Sequence, residues 1–284
     1  MFNAIGKTIK WIGQHFMGML FLLIAFVVLM PTSSTQLRPA NLQEIQLVGP
    51  LMTADALLTE IEHVQKDPKI KGVLLNINSP GGAVPPSIEI AYAIKALKKH
   101  KPVVAYASGI MASGSYYASI YANTIIANPG SIVGSIGVIM ESANIEELMD
   151  TIGVKTQIGR QCKYKEAGTP TREWTADERA ELERLTKDTY ELFIKDVANA
   201  RGLDINNSKN YADAHIFSAK RAKEAGLIDR VGVKSQAKAE VEKLAKVTKP
   251  SWKEKDKLES FMEQFATKGM MQLQNYFYGL KASF

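Results

Sequence analysis

Small residues crowd one segment of the chain, Ala107-Ser108-Gly109-Ile110-Met111-Ala112-Ser113-Gly114-Ser115-Tyr116-Tyr117. The segment lies between a short apolar run typical of a buried strand, Pro102–Ala107, and a run that predicts a helix through Ala122. Ser113 stands where that helix should begin, and the first amides of a helix have no partner inside it. Such amides could bind an oxyanion beside a nucleophilic serine, but the same position also suits a serine that only caps the helix. The segment alone therefore predicts either a nucleophile or a cap.

Apolar runs and amphipathic runs alternate on both sides of this segment. This alternation predicts an α/β fold of stacked βαβ units with a largely parallel sheet, which places its chemistry in loops at the strand ends. Further strands are expected at Glu44–Leu47, Ile70–Asn78, Thr124–Ala127, within Gly130–Met140 and at Lys155–Gly159. Helices are expected at Ala54–Lys66, Ile88–Leu97, Asn144–Ile152 and Thr175–Ala200, the last with a capping box, and from Ser218 onward.

The N-terminal region contains an uncharged apolar run, Met17–Met30, which reaches about the 20 residues of a bilayer span when it is extended back to Trp11. Lys7 and Lys10 precede it, so the positive-inside rule predicts a cytoplasmic N-terminus and an exported remainder. A cleaved signal peptide is the alternative, but no small-residue cleavage site follows Met30. We therefore expect a retained transmembrane anchor.

Composition shifts along the chain predict four regions. These are a cytoplasmic stub with the anchor (residues 1–30), a polar linker (31–43), a globular domain (44–247), and a charged linker with an amphipathic tail (248–284). The tail has apolar residues at helical spacing from Leu258 to Leu280, which suits a membrane surface or a partner.

Several classes of function are disfavoured by composition and motifs. The net charge is +6, but the basic residues are scattered, which argues against nucleic-acid binding. The one cysteine, Cys162, excludes an internal disulfide and a multi-thiolate metal site. Neither a P-loop nor a dinucleotide-binding glycine motif occurs, and the four histidines are isolated, so we expect no metal and no cofactor. None of the histidines lies in a glycine-rich loop, which leaves lysine as the candidate base for Ser113.

Two lysines, Lys163 and Lys165, follow the expected strand at Lys155–Gly159. A lysine can deprotonate a serine only if burial or nearby charge lowers its pKa from about 10.4 towards neutrality. The neighbouring Cys162 and Tyr164 are groups that could desolvate an ammonium. Position alone does not choose between the two lysines.

Six short motifs follow one another along the chain: Asn78-Ser79-Pro80-Gly81-Gly82, Ala112–Tyr117, Gly134-Ser135-Ile136-Gly137-Val138, Lys163-Tyr164-Lys165, Ala200-Arg201-Gly202-Leu203 and Gly226-Leu227-Ile228-Asp229. In these motifs, the chain from about Ile45 to Val231 resembles the signal peptide peptidase A family, also called protease IV. The order and spacing of the motifs match that family over about two thirds of the chain.

This resemblance implies a membrane-bound serine protease with the Clp-protease/crotonase type of fold. Carried over by motif, Ser113 resembles the nucleophile, Lys165 the general base, and Ser135 the hydroxyl that orients the lysine. Gly82 and Gly114 resemble the oxyanion-hole donors.

Two residues depart from the pattern of this family. Ser115 stands where the family usually has glycine, so Ser115 remains a second candidate nucleophile, and Cys162 also replaces a glycine. Because this chain has a single copy of the domain, the resemblance further implies a homo-oligomeric ring, of about eight subunits, in which the lysine of one subunit serves the serine of its neighbour.

Together these features predict a single-pass protein of the bacterial inner membrane with its catalytic domain on the periplasmic side. It would be a serine endopeptidase with a Ser-Lys dyad that degrades cleaved signal peptides. Two alternatives remain: a crotonase-like acyl-CoA hydratase or isomerase, which an exported domain disfavours because CoA is cytoplasmic, and a catalytically silent membrane scaffold of the same fold.

Overall fold

The computed structural model describes residue 11, residues 13–22 and residues 39–253. Ala40–Lys253 form one compact unit, and the terminal segments belong to another, in which residues 13–22 are helical. Within the described part of the chain, no helix has the length and apolarity needed to cross a bilayer. The rest of the expected anchor, residues 23–30, and the expected amphipathic tail from residue 258 lie outside the described residues.

Seven strands of the compact unit form one sheet. They are β1 (Leu42–Val48), β2 (Gly72–Ser79), β3 (Val103–Ala112), β4 (Thr124–Ala127), β5 (Ile132–Gly134), β6 (Ile216–Ser218) and β7 (Arg230–Val231). The order β1-β2-β3-β4-β7 is parallel throughout. At its far end β3 also pairs in parallel with β5, which pairs antiparallel with β6. This confirms the expected α/β fold with a parallel sheet.

Seven helices and one 3₁₀-helix of the compact unit connect these strands or follow the last of them. They are α1 (Asp55–Lys66), α2 (Val84–Leu97), α3 (Gly114–Ser119), α4 (Glu146–Thr151), α5 (Ala176–Arg201), the 3₁₀-helix Ile205–Asn210, α6 (Ala219–Glu224) and α7 (Lys234–Leu244). The expected capping box begins α5, since Thr175 accepts from the Glu178 amide while the Glu178 carboxylate accepts from the Thr175 amide. Gly202 then ends the helix in the left-handed region, at φ 65°.

Both faces of the sheet are buried, which explains why its strands read as continuous apolar runs. Along β2, Val73, Leu75 and Ile77 contribute to the larger core, which also contains residues of α1, α2, α3 and α5. Leu74 faces the smaller core, with Val241 of α7. Each such side chain contributes about 1.5–3 kcal/mol when it is fully buried, so the sheet is the rigid centre of the unit.

Three of the expected elements are corrected by the structure. β3 continues five residues past the expected end, to Ala112, because its last residues pair with β5, and α3 is then only six residues long. The strand expected within Gly130–Met140 is confined to β5. The strand expected at Lys155–Gly159 is wrong: these residues are irregular and exposed, and no described strand lies beside them to pair with.

Residues 137–177, which we call the arm, follow β5 and lead into α5. None of these residues is buried, whereas Ile136 before them and Glu178 after them are. The arm carries exposed apolar side chains, among them Ile139, Leu148, Ile152 and Ile158. The arm thus contributes nothing to the hydrophobic core of its own unit.

Candidate active site

Ser113 occupies the sharp turn between β3 and α3. Its backbone has φ 52° and ψ −125°, a conformation that a residue with a side chain adopts only under constraint. The constraint comes from two hydrogen bonds: the Ser113 amide donates to Gly134 O at 2.8 Å, and its carbonyl accepts from the Tyr117 amide at 3.0 Å. The side chain remains partly exposed. The turn therefore presents a serine hydroxyl at the end of a buried strand.

Ser115, the second candidate nucleophile, lies in a different environment. It is fully buried, its hydroxyl donates to Ser79 O at 2.7 Å, and its oxygen accepts from the Ala112 amide at 2.9 Å. The Ser115 hydroxyl thus donates one hydrogen bond, accepts another and has no access to solvent, and its bond to Ser79 holds the turn against β2. The geometry favours Ser113 over Ser115 as the reactive serine.

The amides of Gly82 and Gly114 lie close together beside Ser113. A Cβ atom built on Gly114 would lie 3.3 Å from Gly82 N and 2.1 Å from Ser87 Oγ, so only glycine fits there. Gly114 supplies the first amide of α3, which has no partner inside the helix. Gly82 forms a parallel bridge with Leu51 in which the neighbouring residues make the bonds, Leu51 N to Gly81 O and Ala83 N to Leu51 O, each at 2.8 Å. The Gly82 amide is therefore left to point away from Leu51, as an oxyanion donor would require.

Ser113 lines two adjoining cavities. The larger has a volume of about 510 Å³ and also includes Gly82, Ser135 and Asp213 in its lining. The smaller, of about 30 Å³, is mainly apolar and narrow. Its lining consists of Gly82, Val84, Ser87, Ile88, Ser113, Gly114, Tyr117, Gly137, Val138, Thr189, Leu192 and Phe193. An extended chain could lie in the larger cavity and place one small apolar side chain in the smaller.

Ser135 is the second residue that the structure brings to Ser113. Its φ is 51°, and its amide donates to His215 O at 2.7 Å, which ties the turn after β5 to the start of β6. Since Ser113 and Ser135 line the same cavity, the position of Ser135 agrees with its expected proximity to the nucleophile.

The two candidate lysines lie on the arm. Lys163 forms an ion pair with Asp177 at 2.6 Å, and this hydrogen-bonded contact raises the pKa of Lys163 above its usual value. A lysine held as an ammonium is a poor base, so the pairing leaves Lys165 as the better candidate. Lys165 is exposed in a turn and lines neither cavity within its own chain. The structure thus assembles Ser113, Gly82, Gly114 and Ser135, but it does not bring Lys165 to them.

The wall of the smaller cavity is braced through a buried tyrosine. Tyr117 of α3 donates its hydroxyl to the Asp196 carboxylate of α5, and its ring lies 4.8 Å from that of Phe193. Burial, followed by the bond to Asp196, raises the pKa of Tyr117 far above its usual value, so the hydroxyl stays protonated. The short helix that follows Ser113 is therefore anchored to the longest helix of the unit.

Sequence reasoning missed three parts of the site. Leu51, which orients the Gly81-Gly82 turn, carries no local signal because its role is played by its backbone. The sequence predicted α5 and its capping box but gave this helix no part in the site, although the adjacent apolar Leu192 and Phe193 could have indicated a buried face. The ion pairs of Arg160 and Arg172 with Glu166 and Glu178 were also missed.

The chain has relatives among known proteases. The sequence model of peptidase family S49 matches residues 95–248. A putative protease of Methanocaldococcus jannaschii is 42% identical over 190 residues, covering 67% of this chain and 61% of that protein. A putative signal peptide peptidase SppA of Enterococcus faecium is 33% identical over 192 residues, covering 67% of this chain and 56% of that protein.

Among solved structures, a ClpP1 variant from Listeria monocytogenes aligns with a TM-score of 0.48 at 14% identity, covering 68% of this chain and 93% of that chain. The chain spans about three fifths of the length of the two protease relatives. The family expected from the motifs is confirmed by the sequence comparisons, and the chain belongs to peptidase family S49.

Proposed function

We propose that this chain is a serine endopeptidase that uses Ser113 as the nucleophile and Lys165 as the general base. The observation that carries the proposal is the turn at Ser113, with its constrained backbone, partly exposed hydroxyl and adjacent Gly82 and Gly114 amides. A nucleophile beside two backbone donors at the edge of a cleft is the arrangement that acyl transfer requires.

The proposed reaction has two stages. In the first, neutral Lys165 takes the hydroxyl proton while Ser113 Oγ bonds to the scissile carbonyl carbon, and the amides of Gly82 and Gly114 bind the oxyanion. The lysine ammonium then protonates the leaving amine as the C–N bond breaks, which leaves an acyl-enzyme. In the second stage Lys165 deprotonates a water that hydrolyses the ester and restores Ser113. The hydroxyl of Ser135 accepts a hydrogen bond from the ammonium and orients it.

Substrate choice follows from the two cavities. The narrow apolar cavity suits a small or apolar side chain next to the scissile bond, and the larger cavity suits an extended peptide. Cleaved signal peptides have this character, and one relative is named as a putative signal peptide peptidase. The apolar run before residue 30 supports attachment to the bacterial inner membrane, with the catalytic domain on the periplasmic side.

A ring of identical subunits would complete the site. The arm carries Lys165, buries none of its own residues, and exposes Leu148, Ile152 and Ile158 by 60%, 65% and 54%. Several exposed apolar side chains on one segment that buries nothing favour an interaction surface. We therefore include in the proposal that the arm docks on a neighbouring copy and brings Lys165 to the Ser113 of that copy, in head-to-tail contacts that close into a ring.

The nucleophile is tested in the full-length protein with a serine-directed fluorophosphonate and with cleavage of a signal peptide. Ser113→Ala should abolish both labelling and cleavage, whereas Ser115→Ala should remain labelled and retain a substantial part of its activity. Equal loss in both variants, or activity in Ser113→Ala, would contradict the assignment. Absence of labelling and cleavage in the wild type would favour the catalytically silent scaffold.

The shared site is tested by mixing two variants, Ser113→Ala and Lys165→Ala, each expected to be inactive alone. Mixed assemblies would contain some sites with an intact serine and an intact lysine, so activity should partly return. Failure to recover activity despite demonstrated co-assembly would mean that each subunit builds its own site.

A further inference from the structure

None of the residues of the arm that carries Lys165 is buried, and ion pairs contribute to holding its conformation. Glu166, the residue next to Lys165, accepts hydrogen bonds from the guanidinium groups of Arg160 and Arg172, the second at 3.2 Å. The Glu166 side chain is only 13% exposed between them. The contacts of the Glu166 side chain therefore hold the backbone next to Lys165, the proposed base, in place.

The same two arginines also contact Glu178 at the start of α5. Arg172 donates to both carboxylate oxygens of Glu178, at 2.8 and 2.9 Å, and Arg160 lies 3.7 Å from one of them. The Glu178 side chain is 2% exposed, and Glu178 is the first buried residue after the arm. Two-point pairing of this kind sets the orientation of the guanidinium as well as its position.

Glu178 is itself held in place by α5. As the third residue of the helix, it exchanges hydrogen bonds with Thr175 in the capping box, and α5 continues to Leu192 and Phe193 in the wall of the narrow cavity. A continuous series of contacts thus links the helix that lines the substrate cleft to Glu178, then to Arg172, then to Glu166 beside Lys165.

We propose that Glu178 and Arg172 are positioning residues that hold the Lys165 segment in the geometry needed for proton transfer. This inference rests on the proposed function, since it assigns a purpose to the network only if Lys165 is the base. It applies equally whether Lys165 serves its own chain or a neighbouring one. Proton transfer is sensitive to placement, and a displacement of about 1 Å can lower a rate about 100-fold.

The test uses the full-length protein and two variants that break the network without changing side-chain size greatly, Arg172→Gln and Glu178→Gln. Glutamine also serves at the third position of a capping box, so Glu178→Gln keeps the helix cap. Each variant should lower kcat roughly 10- to 100-fold with KM within about twofold, and should slow fluorophosphonate labelling of Ser113 by a similar factor. Arg172→Lys, which keeps the charge but cannot pair through two nitrogens, should fall between these variants and the wild type.

Two controls separate positioning from stability. Arg184→Gln removes an exposed ion pair with Glu181 on the same helix, and it should leave kcat unchanged. Ser218→Ala weakens the cap of α6 and touches neither the arginine contacts nor the two cavities, so it should lower the melting temperature while keeping kcat within about twofold of wild type.

A double variant tests whether the ion-pair network acts on Ser113 through Lys165. If the network acts through Lys165, adding Arg172→Gln to Lys165→Ala should not slow the residual labelling of Ser113 any further. Additive slowing, or wild-type kcat in both Arg172→Gln and Glu178→Gln while Lys165→Ala is inactive, would overturn this inference alone. Wild-type activity in Lys165→Ala would instead overturn the proposed dyad.

Discussion

The turn around Ser113 and the arm that carries Lys165 are built in opposite ways. Ser113 is followed by Gly114–Ser119, a helix whose residues are all buried, and its turn is fastened by hydrogen bonds to Gly134 and, through Ser115, to Ser79. The arm, residues 137–177, buries no residue and is held by ion pairs and hydrogen bonds. One chain therefore preorganises the proposed nucleophile and the proposed oxyanion donors, but it leaves the proposed base outside the cleft.

This difference separates the parts of the site that the folding of one chain places in position from the part that it does not. Backbone donors and a strained turn need a close-packed surrounding, because strain of this kind persists only when neighbouring contacts enforce it. A side chain on an exposed arm can reach its place when a partner docks, and activity could then depend on assembly.

Replacing the proposed base should remove activity without affecting the fold. Lys165→Arg keeps the positive charge, but a guanidinium cannot give up its proton in the working pH range, so the rate should fall by about 10²- to 10⁴-fold. Because Lys165 is exposed, the melting temperature should match that of the wild type. Peptide cleavage and thermal denaturation measure the two effects, and an active Lys165→Arg would remove the general-base role.

Disturbing a proposed oxyanion donor should damage both activity and packing. Gly114→Ala would bring a Cβ atom to 2.1 Å from Ser87 Oγ and displace the amide beside Ser113, so kcat should fall by about 10²- to 10³-fold. Gly130→Ala is the matched control, since its nearest contact would be an ordinary 3.6 Å. Labelling of Ser113 at the wild-type rate in Gly114→Ala would argue against a role for this amide.

The apolar surface of the arm should matter for assembly and not for the fold of one subunit. Leu148→Asp adds a charge to an exposed position of α4, so it should reduce the oligomeric state and lower activity by roughly 10-fold while the secondary structure is retained. Ile205→Asp, at a 48% exposed position of the 3₁₀-helix, is the control. Sedimentation and circular dichroism measure the outcome. An unchanged oligomer in Leu148→Asp would place the contact elsewhere.

The smallest expected effect concerns the acid stability of the arm's attachment. Hydrogen bonds from Arg172, and then from the Thr175 backbone, lower the pKa of Glu178 to about 2. A carboxyl with a depressed pKa stabilises the fold above its ordinary pKa, and this stabilisation is lost as the pH falls towards 2. Glu178→Gln should therefore melt below the wild type at pH 6, and the difference should shrink at pH 3 and below. A difference that stays constant over this range would mean that the ionised carboxylate is not the stabilising form.

Much of the fold could be predicted because strands and helices depend on the spacing of apolar and capping residues that are close together in the sequence. The apolar run at Ile70–Asn78 and the capping box at Thr175 correspond to β2 and the start of α5, since strand burial and helix caps depend on neighbouring residues. The strand expected at Lys155–Gly159 failed because a strand needs a partner, and the described residues place none beside it. The early end expected for β3 failed because the pairing of its last residues with β5 is a long-range contact.

The candidate site also combines features that neighbouring residues indicate with features that only long-range contacts establish. The sequence by itself determined the family, through its glycine and serine motifs, and the resemblance to that family pointed to Ser113, Gly82 and Gly114. Only the tertiary structure decided that Ser115 is buried and bonded, and that Lys163 is paired with Asp177. Both outcomes depend on residues distant in sequence or on solvent access, which periodicity does not encode.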